Sequence, residues 1–343
     1  MPSDAQLVEA MRAAIAASTA ARGTTSPNPP VGAVILDRDG RTVGVGATQP
    51  PGGPHAEVMA VRAAGDAATG GTAIVTLEPC SHTGRTPPCT DLLKSVGVAE
   101  VYFAVADPNP VAAGGRQVLA EAGIPAHQGL LAQDVERGPL RAWLHYARTG
   151  RPHVTWKYAM TMDGRVAAQD GTSRWISDAE SRAEVHELRR SVDAIIAGTG
   201  TVRADDPALT ARDADGALLD RQPLRVVVGL SDLPDGAKVA DDAAETLHLR
   251  TRKPDEVLTT LAARGVVDVL LEGGPRLAGA FLRAGLIDRA LAYLAPKLLG
   301  SGPTALGDAG VATITQAHLW TVESATMKGP DVRISAIPVR EAG

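Results

Sequence analysis

The chain contains only two cysteines, Cys80 and Cys89, and each directly follows a proline. The run His55-Ala56-Glu57 stands one predicted strand upstream of them. Imidazole and thiolate groups are ligands that zinc takes in a tetrahedral arrangement. Because three ligands that are far apart in sequence must meet at one ion, this set is the strongest structural signal in the chain.

The same residues favour a catalytic zinc site over a structural one. Three protein ligands leave a fourth position for water, and zinc lowers the pKa of that water toward ~7. At the start of a helix, the spacing of His55 and Glu57 places one side chain on the metal and the other over the water. Such a carboxylate takes a proton from water and passes it to a departing amine. The pattern is typical of zinc nucleoside and nucleobase deaminases. A structural site would need a fourth protein ligand, for which His82 is the nearby candidate.

Length and composition predict two ordinary globular domains. The chain has 343 residues, of which 44% are hydrophobic and 3% aromatic, and its formal net charge is −5. A nucleic-acid partner usually requires a basic face, so the charge argues against one. The first 21 residues are interrupted by charged side chains, unlike a signal peptide, and no apolar stretch approaches ~20 residues. These features predict a cytoplasmic protein without a membrane segment.

Helix and strand patterns alternate along the chain, which predicts an α/β architecture. The predicted helices are 4–20, 55–64, 90–95, 139–149 and 178–190. The predicted strands are 31–36, 42–45, 72–77, 98–106, 154–159, 192–197, 224–228, 266–271 and 290–294. The turn at 149–152 is the best domain boundary, so we expect domains 1–149 and 150–343.

Two glycine-rich turns in the second half follow predicted strands, at residues 198–201 and 272–275. Glycine at such a turn lets backbone amides approach an anion, and a helix that begins behind the turn adds its positive end. The dinucleotide pattern Gly-x-Gly-x-x-Gly is not complete, because Arg203 stands at its last position. Phosphate cradles and plain tight turns are therefore both open interpretations.

Three segments of the first half carry a specific resemblance: Ser-Pro-Asn-Pro-Pro-Val-Gly at 26–32, Gly-Pro-His-Ala-Glu at 53–57, and Leu-Glu-Pro-Cys-Ser-His-Thr-Gly-Arg-Thr-Pro-Pro-Cys at 77–89. They are similar to the bifunctional pyrimidine deaminase/reductase family of riboflavin biosynthesis. Eight residues separate the cysteines where most zinc deaminases have two, and this long loop is itself typical of that family.

The resemblance implies that the first domain is a cytidine-deaminase-like α/β/α sandwich. The implied substrate is 2,5-diamino-6-(5-phosphoribosylamino)pyrimidin-4-one, a small phosphorylated pyrimidine whose ring amine is replaced by oxygen. The implied metal is Zn²⁺. The carried-over residues are the metal ligands His55, Cys80 and Cys89, the catalytic residue Glu57, and the substrate contacts Asn28, His82 and Arg85.

Two positions depart from the family pattern. Thr48 stands seven residues before His55, where the family usually has another histidine, and Arg85 stands where it often has lysine. The first change removes a substrate contact. The second keeps the charge but changes its geometry.

The second half is similar to the reductase domain of the same family at residues 157–165, 175–177, 200–202, 205–210 and 272–275. This resemblance implies a dihydrofolate-reductase-like α/β domain in which NADPH delivers hydride to C1 of the ribose. The implied cofactor contacts are Ala159, Trp175, Thr201, Asp205, Gly274, Pro275, Arg276, Leu277, Ala278 and Gly279. The implied substrate contacts are Lys157, Asp163, Ser173, Arg189, Leu209, Arg212 and Glu272.

Two other functions are weighed against this two-step enzyme. One is a deaminase that acts on a base in RNA or DNA, with the second half as a binding module; it would favour a basic surface and stacking aromatic residues. The other is a structural zinc module with a nucleotide-sensing domain, which would have no use for Glu57. The family further implies a homodimer or higher homo-oligomer.

Overall fold

The computed structural model describes residues 2–82 and 87–339. The chain forms two compact units, Met1–Gly150 and Arg151–Gly343, which are described separately below. Arg85 lies outside the described residues. Among the helices of the described ranges, none is both long and apolar enough to cross a membrane.

The first unit is built on a five-stranded sheet with strand order β2-β1-β3-β4-β5. Strand β1 is antiparallel to β2 and β3, whereas β3, β4 and β5 are parallel. Its elements are α1 (Asp4–Ala21), β1 (Gly32–Leu36), β2 (Thr42–Ala47), α2 (Ala56–Ala64), β3 (Thr72–Leu77), α3 (Cys89–Val96), β4 (Glu100–Val105), α4 (Gly115–Glu121), β5 (Ala126–Gln128), α5 (Ala132–Arg137) and α6 (Arg141–Thr149).

Helices α1 and α2 cover opposite faces of this sheet. Gly32 of β1 lies directly against the Ala14 carbonyl of α1, and Gly46 of β2 lies directly against the Ala56 carbonyl of α2. Gly46 pairs with Ala33, the neighbour of Gly32, so the two glycines point to opposite faces. The close approach of both helices depends on the absence of a side chain at each glycine. The result is an α/β/α sandwich.

The second unit is built on an eight-stranded sheet with strand order β12-β13-β11-β6-β10-β7-β8-β9. The strands from β11 to β9 are parallel, and the hairpin of β12 and β13 adds to β11 in the antiparallel direction. Its elements are β6 (His153–Thr161), α7 (Ala179–Ser191), β7 (Ala194–Gly198), α8 (Thr199–Asp205), β8 (Leu224–Val228), β9 (Thr246–Leu249), α9 (Pro254–Ala263), β10 (Asp268–Leu271), α10 (Pro275–Arg283), β11 (Arg289–Ala295), β12 (Trp320–Lys328) and β13 (Asp331–Pro338).

Hydrophobic cores cover both faces of this second sheet. One face carries Trp156 and packs against Leu261 of α9 and Phe281 of α10. The other face packs against Val185 of α7 and Val202 of α8. This layering explains why the parallel strands read as nearly continuous apolar runs, since both of their faces are buried.

The predicted α/β class is confirmed, and most predicted elements are found within a few residues of their expected bounds. Strands β3 and β8 begin and end at the predicted residues. Helix α3 begins one residue earlier than predicted, at Cys89. Asp178 caps α7 by accepting a hydrogen bond from the Glu180 backbone amide.

The contact between α2 and β2 generates a stability prediction for Gly46→Ala. A Cβ atom at Gly46 would lie 2.4 Å from the Ala56 carbonyl oxygen and the Ala60 amide nitrogen. Because both atoms are backbone, α2 must shift, and we expect the unfolding free energy to fall by about 1–3 kcal/mol. Urea unfolding followed by circular dichroism measures the change. Gly200→Ala is the control, since its Cβ meets open space. Equal unfolding midpoints for the two variants would contradict the tight contact.

Candidate active sites

The ends of three elements bring the predicted zinc ligands together in the first unit. His55 immediately precedes α2, Cys80 follows β3, and Cys89 is the first residue of α3. Their ligand atoms all lie within 4.8 Å of one another. Parallel strand β3 therefore delivers one thiol at its carboxyl end, and two helix starts deliver the other two ligands.

The distances between these atoms fit a tetrahedral zinc ion. Nδ1 of His55 lies 3.7 Å from Sγ of Cys80 and 3.3 Å from Sγ of Cys89. Zinc with Zn–S bonds of ~2.3 Å and Zn–N bonds of ~2.0 Å holds such a nitrogen and sulfur about 3.5 Å apart. The donor set and its spacing both suit zinc, with one coordination position left open.

Glu57 lies in the first turn of α2 beside this cluster and is almost completely buried, with 4% of its surface exposed. Burial raises the pKa of its carboxyl group, and the neighbouring Cys80 thiolate adds to the increase. A carboxyl group with a raised pKa takes up a proton more readily than one in water. These features suit the predicted proton transfer.

The two thiols differ in proton affinity because they face each other. A hydrogen bond from the Cys89 thiol lowers the pKa of Cys80 to about 4. The same contact, together with burial, raises the pKa of Cys89. The Cys89 backbone amide also points at Cys80 Sγ, with a nitrogen–sulfur distance of 3.4 Å.

The loop after β4 is hydrogen-bonded to Glu78 and Ser81, close to Cys80 in the sequence, and our sequence reasoning missed it. Glu78 accepts hydrogen bonds from the backbone amides of Arg116 at 2.9 Å and Asp107 at 3.2 Å. The Ser81 hydroxyl donates to the Ala113 carbonyl at 2.8 Å. Burial raises the pKa of Asp107, which also interacts electrostatically with Cys80. The turn-forming run Asp-Pro-Asn-Pro at 107–110 is the sequence signal that marks this loop.

The remaining predicted contacts of the first unit occupy different environments. Asn28 is exposed in the turn before β1. Nδ1 of His82 is buried without a hydrogen-bond partner among the described residues. The Thr48 hydroxyl accepts a hydrogen bond from the Val31 amide at 3.1 Å, so the group that replaces the family histidine is committed to the backbone.

Three predicted substrate contacts converge in the second unit. Arg189 of α7 donates to both carboxylate oxygens of Glu272, at 2.7 and 2.9 Å, and to the Thr210 carbonyl at 3.1 Å. Burial alone would raise the pKa of Glu272, but Arg189 outweighs it and lowers the pKa to about 2. Lys157 lies beside this pair; burial lowers the pKa of its ammonium group, and Glu272 opposes that shift.

The segment that carries Leu209 and Arg212 is held by two hydrogen bonds with the side-chain amide of Gln222, called here the Gln222 clamp. Gln222 accepts from the Ala211 amide at 2.8 Å and donates to the Ala211 carbonyl at 2.8 Å. Arg212 donates to the Thr210 hydroxyl at 3.2 Å. No sequence pattern singles out Gln222, because its role depends on a contact eleven residues away.

Two loops that carry Asp163 and Trp175 are tied to the loop after β11. The Thr161 hydroxyl and the backbone amides of Gly300 and Leu299 donate to Asp163 and lower its pKa to about 2. Lys297 donates to the Trp175 carbonyl at 2.6 Å. Trp175 is 62% exposed, and Ser173 lies two residues before it. These donors hold the Asp163 carboxylate in a fixed position.

The predicted cofactor contacts lie near the carboxyl ends of the parallel strands. The first glycine-rich segment, 198–201, forms the N-cap and first turn of α8, and the second, 272–275, leads into α10. The Gly274 amide donates to the Thr201 hydroxyl at 3.1 Å, which joins the two segments. Asp205 ends α8, Ala159 lies in β6, and residues 274–279 form the start of α10. The arrangement exposes helix starts next to each other, which suits a ligand with phosphate groups.

Two protein-family models match the chain, one to each half. The model described as the cytidine and deoxycytidylate deaminase zinc-binding region matches residues 4–105. The model described as the RibD C-terminal domain matches residues 152–328.

Curated relatives and solved structures match nearly the whole chain. The riboflavin biosynthesis protein RibD of Mycobacterium tuberculosis is 56% identical over 329 residues, which cover 96% of each chain. RibD of Escherichia coli is 40% identical over 91% of this chain and 94% of the relative. The structure of Acinetobacter baumannii RibD matches with a TM-score of 0.85 and 35% identity, over 98% of this chain and 99% of that one. A deaminase/reductase from Thermotoga maritima matches with the same TM-score, 31% identity and the same coverage. The predicted cytidine-deaminase-like and dihydrofolate-reductase-like folds are confirmed.

The ligand geometry predicts the outcome of metal analysis. We expect about one zinc ion per chain in the purified protein. Cys80→Ser should lose the metal, because the hydroxyl group does not replace a thiolate as a zinc ligand. Inductively coupled plasma mass spectrometry measures the content, with Ser81→Ala as the neighbouring control. A Cys80→Ser protein that keeps its full zinc content would refute the ligand assignment.

Proposed function

The chain belongs to the RibD family of riboflavin biosynthesis proteins, and we propose that residues 1–149 and 150–343 each carry one of its two activities. The chain is a bifunctional enzyme. It deaminates 2,5-diamino-6-(5-phosphoribosylamino)pyrimidin-4-one and then reduces the ribosyl group with NADPH to give 5-amino-6-(5-phosphoribitylamino)uracil. The observation that carries the proposed division is the meeting of His55, Cys80 and Cys89 beside Glu57 within the first unit.

We propose that Glu57 is the proton carrier of the deamination. His55, Cys80 and Cys89 would hold Zn²⁺, which supplies an activated water when bound. Glu57 is buried beside the ligands, in the first turn of α2, where its carboxylate is well placed to accept a proton from that water. The same group then donates a proton to the departing amine, since proton uptake and release must balance over one turnover.

The substrate contacts proposed for the first site are Asn28, His82 and Arg85. His82 supports this assignment because its Nδ1 atom is buried two residues from Cys80 without a partner among the residues described. A buried polar atom of this kind costs free energy unless a ligand or water satisfies it. A guanidinium group at position 85 suits the substrate phosphate, which it binds through paired hydrogen bonds.

We propose that the second site binds the ribosyl phosphate through a cluster of charged residues. Lys157, Arg189 and Glu272 lie together, and Arg212 extends from the neighbouring segment. The side chain of Lys157 forms no hydrogen bond or ion pair within the described part of the chain, so its ammonium group is available to a substrate. The full set of proposed substrate contacts is Lys157, Asp163, Ser173, Arg189, Leu209, Arg212 and Glu272.

NADPH supplies the hydride in the reduction, and its proposed contacts surround the two glycine turns. The linked turns of α8 and α10 present backbone amides at two helix starts, which suits the cofactor phosphates. Exposed Trp175 offers an aromatic face to the cofactor rings. The full set of proposed cofactor contacts is Ala159, Trp175, Thr201, Asp205, Gly274, Pro275, Arg276, Leu277, Ala278 and Gly279.

We further propose a homodimer or higher homo-oligomer in the cytoplasm. Strand β12 is an outer strand of the second sheet, and its Val322 and Met327 side chains are 59% and 63% exposed. Edge strands with apolar side chains favour pairing with another chain. Cys80 and Cys89 are free thiols, which suits a reducing compartment.

A product analysis tests the proposed function directly. The purified protein is incubated with the diaminopyrimidine substrate, with and without NADPH, and the products are identified by mass. Without NADPH we expect only the deaminated ribosyl compound, and with NADPH the ribityl compound. NADPH oxidation should require the deaminated pyrimidine. Turnover of dihydrofolate in its place would assign the second unit to another activity.

Glu57→Gln separates the two activities. We expect deamination to slow by about 10²–10⁴-fold, because the amide cannot accept the proton. The variant should keep its zinc, and it should oxidise NADPH at the normal rate when the deaminated substrate is supplied. The measurements are product mass, metal content and absorbance at 340 nm. Deamination at the wild-type rate would show that another group carries the proton.

A further inference from the structure

Lys157 occupies a charged pocket on one face of the second sheet. It lies in β6 beside the ion pair of Arg189, from α7, and Glu272, from the loop after β10. The strand register places Lys157 opposite Leu291 and Ala159 opposite Tyr293. Lys157 and Tyr293 therefore point to the same face, because side chains two residues apart share a face and paired residues lie side by side.

The Tyr293 ring lies against Lys157 at the base of this pocket. The Lys157 Nζ atom is 5.8 Å from the centroid of the ring. Tyr293 is fully buried and packs against Val185 and Leu188 of α7. Its position is consequently set by the core and does not depend on a ligand.

The hydroxyl group of Tyr293 is anchored by an ionic cluster on the far side of the ring. It donates to Glu184 Oε2 at 2.9 Å. Glu184 is held in turn by Arg333 at 2.7 Å and by Lys328 at 3.0 Å. One carboxylate of α7 thus connects the hairpin of β12 and β13 to the tyrosine of β11.

We propose that Tyr293 is a positioning residue of the reductase site, whose ring, held in place by the core, supports the Lys157 ammonium group. The inference rests on the proposed function in one respect, namely that Lys157 contacts the substrate. Tyr293 itself is buried beneath Lys157 and acts through it.

The electrostatics of the pocket make this support measurable. An aromatic face attracts a cation within about 6 Å of its centroid. The charged groups that face Lys157 are Glu272 and Arg189; burial lowers the pKa of Lys157, and Glu272 raises it. The ring adds a further interaction that favours the protonated form. Loss of the ring should therefore lower the pKa of Lys157, by about half a pH unit.

The test measures the protonation of Lys157 directly. The chain contains six lysines, so protein labelled with ¹³C at the lysine Cε gives a spectrum in which Lys157→Met identifies the Lys157 signal. The titration midpoint of that signal is compared in the wild type, Tyr293→Leu and Tyr293→Phe. We expect the midpoint to fall by about half a pH unit in Tyr293→Leu, and to stay at the wild-type value in Tyr293→Phe, which keeps the ring.

Two outcomes would overturn the proposal. One is a Tyr293→Leu midpoint equal to that of the wild type; the other is an equal shift in both variants, which would assign the effect to the hydroxyl group. Should Tyr293→Leu not fold, ring-fluorinated phenylalanines at position 293 replace it. Added fluorine weakens the attraction with little change in size, so the midpoint should fall with each fluorine, and a constant midpoint would also reject the role of the ring.

Kinetic measurements test the role of Tyr293 separately from the proposed contact of Lys157 with the substrate. The basic limb of the pH profile of NADPH oxidation should move with the titration midpoint in Tyr293→Leu, while deamination is unchanged. Full reductase activity in Lys157→Met would remove Lys157 from the substrate site. In that case the titration shift in Tyr293→Leu would still report whether the ring supports the ammonium group.

Discussion

The first active site depends on how closely helix α2 approaches strand β2. Glycines at positions 44 and 46 allow the α2 backbone to lie directly on the strand. This contact fixes the helix start, where His55 and Glu57 lie. Strand β3 is held in the same sheet through β1, and it ends just before Cys80. Ligands from separate elements therefore meet because backbone contacts set the positions of those elements.

The two sites prepare their charged groups in different ways. In the first unit, two adjacent thiols and a buried carboxyl group shift one another's pKa values, and a zinc ion held by His55, Cys80 and Cys89 would offset their negative charge. In the second unit, Arg189 neutralises Glu272 within the protein. The first site thus gathers groups that a metal would pair, whereas the second is ordered by its own ion pair and by the Gln222 clamp.

The sequence was sufficient where a property is local. Strands β3 and β8 were predicted to the residue, because short apolar runs between turn residues define buried strands. The zinc ligands were identifiable because cysteine and histidine carry their chemistry wherever the fold brings them. Contacts between residues that lie far apart in the sequence could not be predicted from it. Glu78 binds amides 29 and 38 residues away, and Tyr293 reaches Glu184 across 109 positions. No periodicity of the sequence encodes such pairs. The contacts of the loop after β4 and the contact of Tyr293 with Lys157 could therefore be identified only in the folded structure.

Both oxygens of Glu272 already accept hydrogen bonds from Arg189 before any ligand arrives. An anion that binds this guanidinium group through the same Nε and Nη2 donors displaces a carboxylate of similar strength, so its entry is an exchange of counterions. The binding free energy gained by such an exchange is the small difference between the Arg189–anion and the Arg189–Glu272 interactions. It therefore depends on which group the released carboxylate then contacts. In the register of β6 and β10, Lys157 lies beside Glu272. Its ammonium group is therefore placed to pair with the Glu272 carboxylate once an anion has taken its place on Arg189.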